Sequence, residues 1–222
     1  MGGRFGYPIC LDLTGRTAVV IGRTAVALGK VEDLLAGGAH GVLIVAEAPA
    51  QRLDALESDP RARVRRRHWR PRDLDGAVLC VASGRTQAER DAIAREARAR
   101  GVLVNLVDDV PNCDFASPAI VRRGELAIAI STGGRSPALA RRLREELQER
   151  FGKEWEEIVG VLGQVRDETR DRLPEFTERA RRWQLALDLD EAVDLVRAGR
   201  VAEWRELLVS RLLHPADSES VA

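Results

Sequence analysis

Four runs of apolar residues, each long enough for a buried strand, restrict the fold of the first hundred residues more than any other feature. The runs are TAVVI from Thr17, VLIVA from Val42, AVLCVA from Ala77 and VLVNLV from Val102. Continuous apolar runs are typical of parallel strands that are covered on both faces. Segments with helical spacing alternate with these runs, and this alternation predicts a doubly wound parallel sheet with right-handed crossovers. We therefore expect an α/β, Rossmann-like domain over residues 1–114.

Two weaker strands and two helices complete this prediction. Residues 10–13 are predicted as a strand that precedes the first run, and residues 64–69 as a poorly apolar strand. Apolar residues at helical spacing follow Ala27, and Gly37-Gly38 ends that helix. A second helix over residues 86–100 begins with the capping box Thr86-x-x-Glu89.

The alternation stops after Phe115, which predicts a different architecture for the rest of the chain. Short strands over 119–121 and 126–130 flank a turn and form a hairpin, and a long helix begins near Ser136. Small αβ segments with exposed strand edges often pair with a second copy, so residues 115–151 are predicted to be a dimerisation segment of a homodimer. Residues 152–214 have helical patterns throughout and predict a helical domain. Residues 215–222 are predicted to be a disordered tail.

Composition excludes several classes of function. Thirty-five basic and thirty-five acidic side chains cancel, which argues against nucleic acid or a membrane surface as partner. Cys10, Cys80 and Cys113 are odd in number and lack a Cys-x-x-Cys spacing, as suits a reducing cytoplasm. The opening residues MGGRFGYPIC lack the apolar core of a signal peptide, so we expect a cytoplasmic protein. His40 and His68 have no partner at ligand spacing, and no metal site is predicted.

The turn after the first apolar run resembles a dinucleotide-binding fingerprint in part. Such a fingerprint reads Gly-x-Gly-x-x-Gly or Ala, and Thr24 here occupies its second glycine position. An acid about twenty residues further on commonly binds the adenosine ribose, and Glu47 lies at that distance. A plain strand-to-helix turn and a solvated glutamate explain these residues about equally well. The candidate cofactor-binding residues are Gly22, Thr24, Ala25, Val26, Glu47 and Ala48.

Two adjacent carboxylates, Asp108 and Asp109, directly follow the last apolar run. Side by side they repel one another, and partial burial raises a carboxyl pKa, which suits a proton acceptor or a ligand for a hard metal ion. The alternative is a turn in which aspartate caps backbone amides before Pro111. The residues alone favour this alternative.

The run Ser131 to Pro137 predicts an anion-binding helix start. Ser136 followed by Pro137 is typical of an N-cap and first helical residue, and the preceding glycines leave backbone amides accessible at the positive end of the helix. The alternative is a plain capped helix whose arginines pair with Glu145 and Glu146. The candidate substrate-binding residues are Asp109, Ser131, Thr132, Gly133, Gly134 and Arg135.

Several of these segments together resemble the siroheme synthase N-terminal family. The matching segments are PICLDL from Pro8, VNLVDD from Val104, CDF from Cys113, Pro118, AISTGGRSPALARRLRE from Ala129 and residues 162–183. The resemblance implies a Rossmann domain, an interlocked dimerisation segment and a helical domain. It further implies NAD-dependent oxidation of precorrin-2 to sirohydrochlorin, followed in many members by insertion of ferrous iron as a second substrate.

The resemblance also assigns residues. The essential aspartate of the family falls on Asp108, which would exchange protons with the tetrapyrrole, and a serine that can carry phosphate falls on Thr132. Two segments on the cofactor side depart from the family pattern: the Gly22–Ala27 turn, and Ser83-Gly84-Arg85-Thr86, where Ala-Thr and acidic residues are usual. Because of these departures, a tetrapyrrole chelatase or carrier without NAD binding remains an alternative. A nucleotide-sensing Rossmann module that is not an enzyme is a third.

Overall fold

The computed structural model describes residues 5–22, 24–47 and 50–214. Backbone contacts divide this part of the chain into two compact units. One comprises the residues up to Ser117 together with Gly133–Arg135, and the other comprises Pro118–Thr132 and the residues from Ser136 onwards. Within the described residues, no helix is long and apolar enough to cross a membrane.

A five-stranded parallel sheet forms the centre of the first unit, as predicted. Its strands lie in the order β3-β2-β1-β4-β5, and every neighbouring pair is parallel. The strand bounds are Thr17–Ile21 for β1, Gly41–Val45 for β2, Ala62–Arg65 for β3, Ala77–Ala82 for β4 and Leu103–Leu106 for β5. Chain order reverses between β1 and β4, so the carboxyl ends of these two strands form the topological switch point.

Helices cover both faces of this sheet. The helix α1 (Ala25–Ala36) packs on one face, where its buried residues join those of β1 and β2 in a continuous apolar core. The short helix α2 (Ala50–Leu56) contributes Leu53 to the same core. The helix α3 (Gln87–Ala99) packs on the opposite face through Ile93, Ala94 and Ala97. Both faces of the central strands are therefore dry, which explains why their sequences are apolar throughout.

Three details of the first unit differ from the sequence prediction. Residues 10–13 are not a strand: Leu13 is buried, but the segment ends in a turn in which Asp12 accepts a hydrogen bond from the Thr14 amide. The weak strand covers residues 62–65 rather than 64–69, because its bounds follow from pairing with β2. The helix α2 was not predicted, since its seven residues are too few for a clear apolar period.

The capping of α3 is confirmed with one change. Thr86 is its N-cap and accepts a hydrogen bond from the Glu89 amide at 3.2 Å. The Glu89 carboxylate, however, accepts from the amide of Arg85, one residue before the N-cap, at 2.6 Å. This contact fixes the turn between β4 and α3.

The second unit begins with a hairpin and a long helix, as predicted. The antiparallel strands β6 (Ala119–Arg123) and β7 (Leu126–Ile130) turn at Gly124, whose φ is 54°. The helix α4 (Pro137–Arg150) packs on the hairpin around a small core of Val121, Ile130 and Ala140. No other strand in the described residues pairs with this two-stranded sheet.

Four helices complete the second unit: α5 (Glu154–Thr169), α6 (Phe176–Ala186), α7 (Leu189–Arg197) and α8 (Val201–Leu213). They pack around one core in which Trp204, Ile158 and Leu212 are almost fully buried. The tryptophan is thus a packing residue. The division of this unit into a dimerisation segment and a helical domain stays a prediction, and the predicted tail at 215–222 lies outside the described residues.

Candidate active site at the carboxyl edge of the sheet

The turns that follow β1, β2 and β4 surround a shallow, open cleft at the switch point of the sheet. Gly22, Glu47, Ser83 and Arg85 line it, and His68 and Trp69 after β3 complete its wall. Open α/β sheets bind their ligands at this place. Each of the three predicted cofactor-side segments therefore contributes to the cleft, but Thr24, Ala25 and Val26 of the first turn do not line it.

Gly22 cannot be replaced by a larger residue in this geometry. Its φ of 122° lies in a region that residues with a side chain rarely adopt. A Cβ atom at Gly22 would also lie 2.0 Å from Oγ and 2.9 Å from the carbonyl oxygen of Ser83. The two turns are held this close by the hydrogen bond from the Ser83 amide to the Ile21 carbonyl at 2.8 Å, and the Gly22 amide donates to the Val45 carbonyl of β2 at 2.9 Å. The first glycine of the fingerprint is therefore required by the fold.

Thr24 satisfies the second fingerprint position without glycine. Its φ of −72° and ψ of 149° are ordinary extended values that any residue adopts. Its hydroxyl accepts a hydrogen bond from the Ala27 amide at 3.2 Å and so caps α1. The two predicted residues that follow, Ala25 and Val26, form the exposed first turn of this helix, which contains no acidic residue. The positive end of α1 is thus open to an anion.

A buried hydroxyl in the same cleft supports a dinucleotide site. The Ser83 oxygen is inaccessible to solvent and has no hydrogen-bond partner among the described residues. An unpaired buried hydroxyl costs free energy, so a ligand oxygen that accepts from it would be stabilised. Together with the glycine at 22 and the open helix end, this hydroxyl fits a pyrophosphate. Ala48, the last of the predicted cofactor residues, lies outside the described residues.

Glu47 lies at the end of β2 as predicted, but its carboxylate is already paired. Oε2 accepts from a terminal guanidinium nitrogen of Arg85, and Oε1 lies 3.2 Å from Nε2 of His68. Arg85 is thirty-eight positions from Glu47 along the chain. Sequence reasoning missed both partners, although the departure from the family pattern at Arg85 was a signal.

Asp108 is exposed at the end of β5, next to β4 in the sheet. Its φ is 60°, one of two positive values among the described residues other than glycine. It occupies the third position of a turn that the Asp109 amide closes on the Leu106 carbonyl at 3.2 Å. Aspartate tolerates this left-handed conformation better than most residues, yet it still costs free energy, and such strain is concentrated at functional sites.

Asp109 has a different environment from its neighbour. Its side chain is 7% exposed, and Oδ2 accepts hydrogen bonds from Asn112 Nδ2 and Gln87 Nε2, each at 3.0 Å. The hydrogen bond from Asn112 lowers the pKa of Asp109, with further lowering from Gln87 and from the charge of Arg90, and together they outweigh desolvation. Asp109 does not follow the sequence alternative of an aspartate that caps backbone amides: its carboxylate makes no such cap and accepts from two side-chain amides instead. Its predicted contact with substrate stays a prediction.

Arg90 connects the turn after β5 to the turn after β4. Its Nε lies 3.3 Å from Asp109 Oδ2, while Nη1 donates to the Gly84 carbonyl at 3.3 Å. A Cβ atom at Gly84 would lie 2.7 Å from Arg90 Cγ, so the glycine permits this approach. Sequence reasoning did not identify Gln87 or Arg90. Their spacing of three on the first turn of α3 was the available signal.

A buried cysteine stabilises the same turn. The Sγ atom of Cys113 accepts from the Leu106 amide at 3.1 Å and lies 3.3 Å from the carbonyl oxygens of Leu106 and Asp109. Asp114 then accepts from the Val104 amide at 3.1 Å. The CDF segment is therefore what keeps the chain after β5 against that strand.

Hydrogen bonds within the loop itself already use some of the polar groups of the predicted anion site before α4. The Thr132 hydroxyl accepts from the Ser136 amide at 3.1 Å and donates to the Ser136 carbonyl at 3.2 Å. Ser136 caps α4 by accepting from the Leu139 amide. Gly133 and Gly134 have φ values of 60° and 80°, and these residues, Ser131 and Arg135 are exposed.

The arginines of α4 follow the plainer alternative. Arg141 and Arg142 pair with Glu145 and Glu146 at 3.0 and 2.9 Å. This leaves Arg135 as the exposed cation of the loop itself. In the described part of the chain, no group of three or more His, Cys, Asp or Glu side chains could hold a metal ion.

Family models match two segments of the chain. Residues 9–119 match a putative NAD(P)-binding family, and residues 123–150 match the central region of sirohaem biosynthesis proteins. The first match covers the sheet and the cleft, and the second covers most of the hairpin and α4.

Individual proteins give the same result. Siroheme synthase of Psychrobacter sp. is 30% identical over 93% of this chain, and siroheme synthase 1 of Pectobacterium atrosepticum is 34% identical over 96%. This chain spans 42% and 44% of the length of these two relatives. A solved structure described as SirC, precorrin-2 dehydrogenase, is 25% identical with a TM-score of 0.69, over 91% of this chain and 98% of that chain. The chain therefore belongs to the siroheme synthase N-terminal family.

Proposed function

We propose that the protein catalyses the NAD(P)-dependent dehydrogenation of precorrin-2 to sirohydrochlorin in siroheme biosynthesis, with NAD as the expected cofactor. One observation carries the proposal: the exposed, conformationally strained Asp108 lies in the turn after β5, the strand next to β4, at the same sheet edge as the cleft of Gly22 and Ser83. A dinucleotide site and a proton-transfer group at one edge are the two parts that a dehydrogenase requires.

Gly22, Thr24, Ala25, Val26 and Ser83 would hold the dinucleotide. Gly22 allows backbone to approach the pyrophosphate, the first turn of α1 offers amides, and Ser83 offers its unpaired hydroxyl. When bound, the nicotinamide ring accepts a hydride. The apolar ends of β1 and β4 beneath the cleft keep water out of the sheet.

Asp108 would accept the proton that leaves the macrocycle during dehydrogenation. A general base must present its carboxylate to the substrate, and Asp108 is exposed while the neighbouring Asp109 is not. The turn holds Asp108 because the buried Asp109 is bonded to Asn112, Gln87 and Arg90. The main role of Asp109 would be to position this turn. Direct contact with substrate would be a secondary role.

Ser131, Thr132, Gly133, Gly134 and Arg135 would bind acidic groups of the substrate. Precorrin-2 carries many carboxylates, and the loop offers exposed amides, one guanidinium and a helix start. Thr132 keeps the hydroxyl that the family uses at this position.

The protein is further proposed to be a homodimer formed through the hairpin of the second unit. Its two strands present unpaired edges in the described residues, and such edges favour pairing with a second copy. Sedimentation velocity should give twice the mass of 24.5 kDa. A monomer at all concentrations would exclude the dimer.

The alternative of a chelatase or carrier that cannot bind NAD is not favoured. That alternative rests on Thr24, whose β-carbon stands at the second glycine position of the fingerprint. In the structure Thr24 has ordinary backbone angles and caps α1. Ferrous iron remains a candidate second substrate, and the experiment below includes it.

The proposal is tested by absorbance spectroscopy. Protein incubated with precorrin-2 and NAD should yield the spectrum of sirohydrochlorin, and addition of ferrous iron should change it further if iron is inserted. No sirohydrochlorin with either NAD or NADP at saturating concentration would refute the dehydrogenase.

A further inference from the structure

We propose that Arg85 and His68 form a receptor for a 2′-phosphate, so that the cleft binds NADP about as well as NAD. This inference rests on the proposed dinucleotide site, and it concerns the end of that site where the adenosine ribose would lie. It follows from charges that surround Glu47 in the structure.

An unpaired acid at the end of β2 normally favours NAD for two reasons. Its oxygens accept hydrogen bonds from the ribose hydroxyls, and its negative charge repels a 2′-phosphate. Here both oxygens of Glu47 already have partners, Oε2 in Arg85 and Oε1 in His68 at 3.2 Å. While these pairs persist, Glu47 binds the ribose hydroxyls less well, and its charge repels a 2′-phosphate less strongly.

Arg85 has donor capacity beyond this ion pair. A guanidinium has five N–H donors, and among the described residues the Arg85 guanidinium donates to Glu47 alone. Its side chain is 46% exposed and lines the cleft. It can therefore reach a phosphate without first losing another partner, and arginine is the residue that commonly accommodates the 2′-phosphate in this fold.

The other charged residues of the cleft do not cancel this effect. Arg67 is held by Asp73 through two hydrogen bonds of 2.6 and 2.7 Å, so it neither helps nor opposes a phosphate. Glu89 is a second lining carboxylate, but it already accepts from the Arg85 backbone amide at 2.6 Å. His68 has 66% of its side chain exposed, and the donor that it would offer to a phosphate is the Nε2 that now faces Glu47.

The test is isothermal titration calorimetry of NAD and NADP against the full protein and three variants. For the wild type, the two dissociation constants should agree within about tenfold, since an acid without partners would separate them much further. Arg85→Ala should weaken NADP by about 10- to 100-fold, the usual contribution of a charge-assisted hydrogen bond, and leave NAD within about threefold. His68→Gln should also weaken NADP binding relative to NAD binding, but by a smaller factor.

Arg95→Ala is the matched control, since Arg95 is an exposed arginine of α3 that does not line the cleft. It should leave the NADP to NAD ratio unchanged. The inference is overturned if NADP binds the wild type more than about 100-fold more weakly than NAD, or if Arg85→Ala leaves the ratio unchanged. Failure of the wild type to bind either dinucleotide would instead refute the proposed function together with this inference.

Discussion

The turn after β1 and the turn after β5 lie at the same edge of one sheet, yet different parts of the chain hold their geometry. The first departs from the family pattern but keeps its geometry, because its task is done by backbone and by a single glycine at 22. The second keeps the family sequence, because its task is done by side chains: an exposed Asp108 and a buried Asp109 with three partners. A site built from backbone allows more substitutions than a site built from side chains.

This comparison also explains why Thr24 does not disqualify the cofactor site. The second glycine of the fingerprint is needed where backbone angles or a close approach exclude a side chain. At Thr24 the backbone angles are ordinary, and the hydroxyl caps α1 by accepting a hydrogen bond from the Ala27 amide. At Gly22 the positive φ and the close approach of Ser83 both exclude a side chain, and glycine is present.

The largest effect is expected from Asp108→Asn. Because general acid–base catalysis contributes about 10²- to 10⁴-fold, kcat for sirohydrochlorin formation should fall by about 10³-fold while NAD affinity stays within about twofold. Asp108→Gly is the companion variant: it should lose the same activity but be as stable as the wild type or up to about 1 kcal/mol more stable, since glycine adopts φ of 60° freely. Full activity in either variant would break the assignment of Asp108.

The next largest effect is expected from Gly22→Ala. The new Cβ would meet Ser83, and the positive φ adds strain, so the turn must move and NAD affinity should fall by about 100-fold in calorimetry. Gly29→Ala is the matched control, because Gly29 lies in α1 with open space around it. That variant should bind NAD normally and gain about 0.5–1 kcal/mol in free energy of unfolding. Equal behaviour of the two variants would contradict the close approach at Gly22.

Asp109→Ala tests the support of the β5 turn. Removal of this carboxylate takes a shared acceptor from Gln87 and Asn112 and the ion-pair partner from Arg90, and it should lower the free energy of unfolding by about 2 kcal/mol at neutral pH. Asp91→Ala removes an exposed acceptor of the same Gln87 and Asn112 groups and should cost about 0.5 kcal/mol. Urea unfolding of both variants measures the difference.

The stability lost in Asp109→Ala should also depend on pH, which gives a second check on the role of this carboxylate. The native pKa of Asp109 is lowered, so its stabilising contribution is complete above the unfolded pKa of about 4 and is lost as the pH falls through the native pKa. The gap between wild type and Asp109→Ala should therefore narrow below about pH 4. A gap that widens in acid would show that Asp109 is not held as a carboxylate.

The smallest effect is expected from Ser83→Ala. The variant removes a buried hydroxyl that has no partner within the described residues, so stability should stay the same or rise slightly. NAD affinity should fall by about three- to tenfold because one hydrogen bond to the ligand is lost. Unchanged affinity would remove Ser83 from the cofactor site.

Elements with strong local signals could be predicted from sequence. The apolar runs gave β1, β2, β4 and β5, and Ser136-Pro137 gave the start of α4, because burial on both faces and capping chemistry are local properties. The bounds of β3 could not be predicted, since its arginine-rich sequence has no period and its register depends on β2. The helix α2 was missed for the same lack of a period.

The division of labour between two adjacent aspartates was also beyond the sequence. Asp108 and Asp109 are chemically identical, and their roles differ because one has φ of 60° and faces solvent while the other meets α3. The Glu47–Arg85 pair joins residues thirty-eight positions apart, so it depends on strand order in the sheet. Such long-range pairs are set by tertiary structure.

Calorimetric titration of the wild-type protein with NAD is the decisive experiment on whether the altered turns still form a dinucleotide site. We expect saturable binding of one NAD per chain with a dissociation constant in the micromolar range. Absence of binding at millimolar NAD, in a sample that is folded and homogeneous, would contradict it.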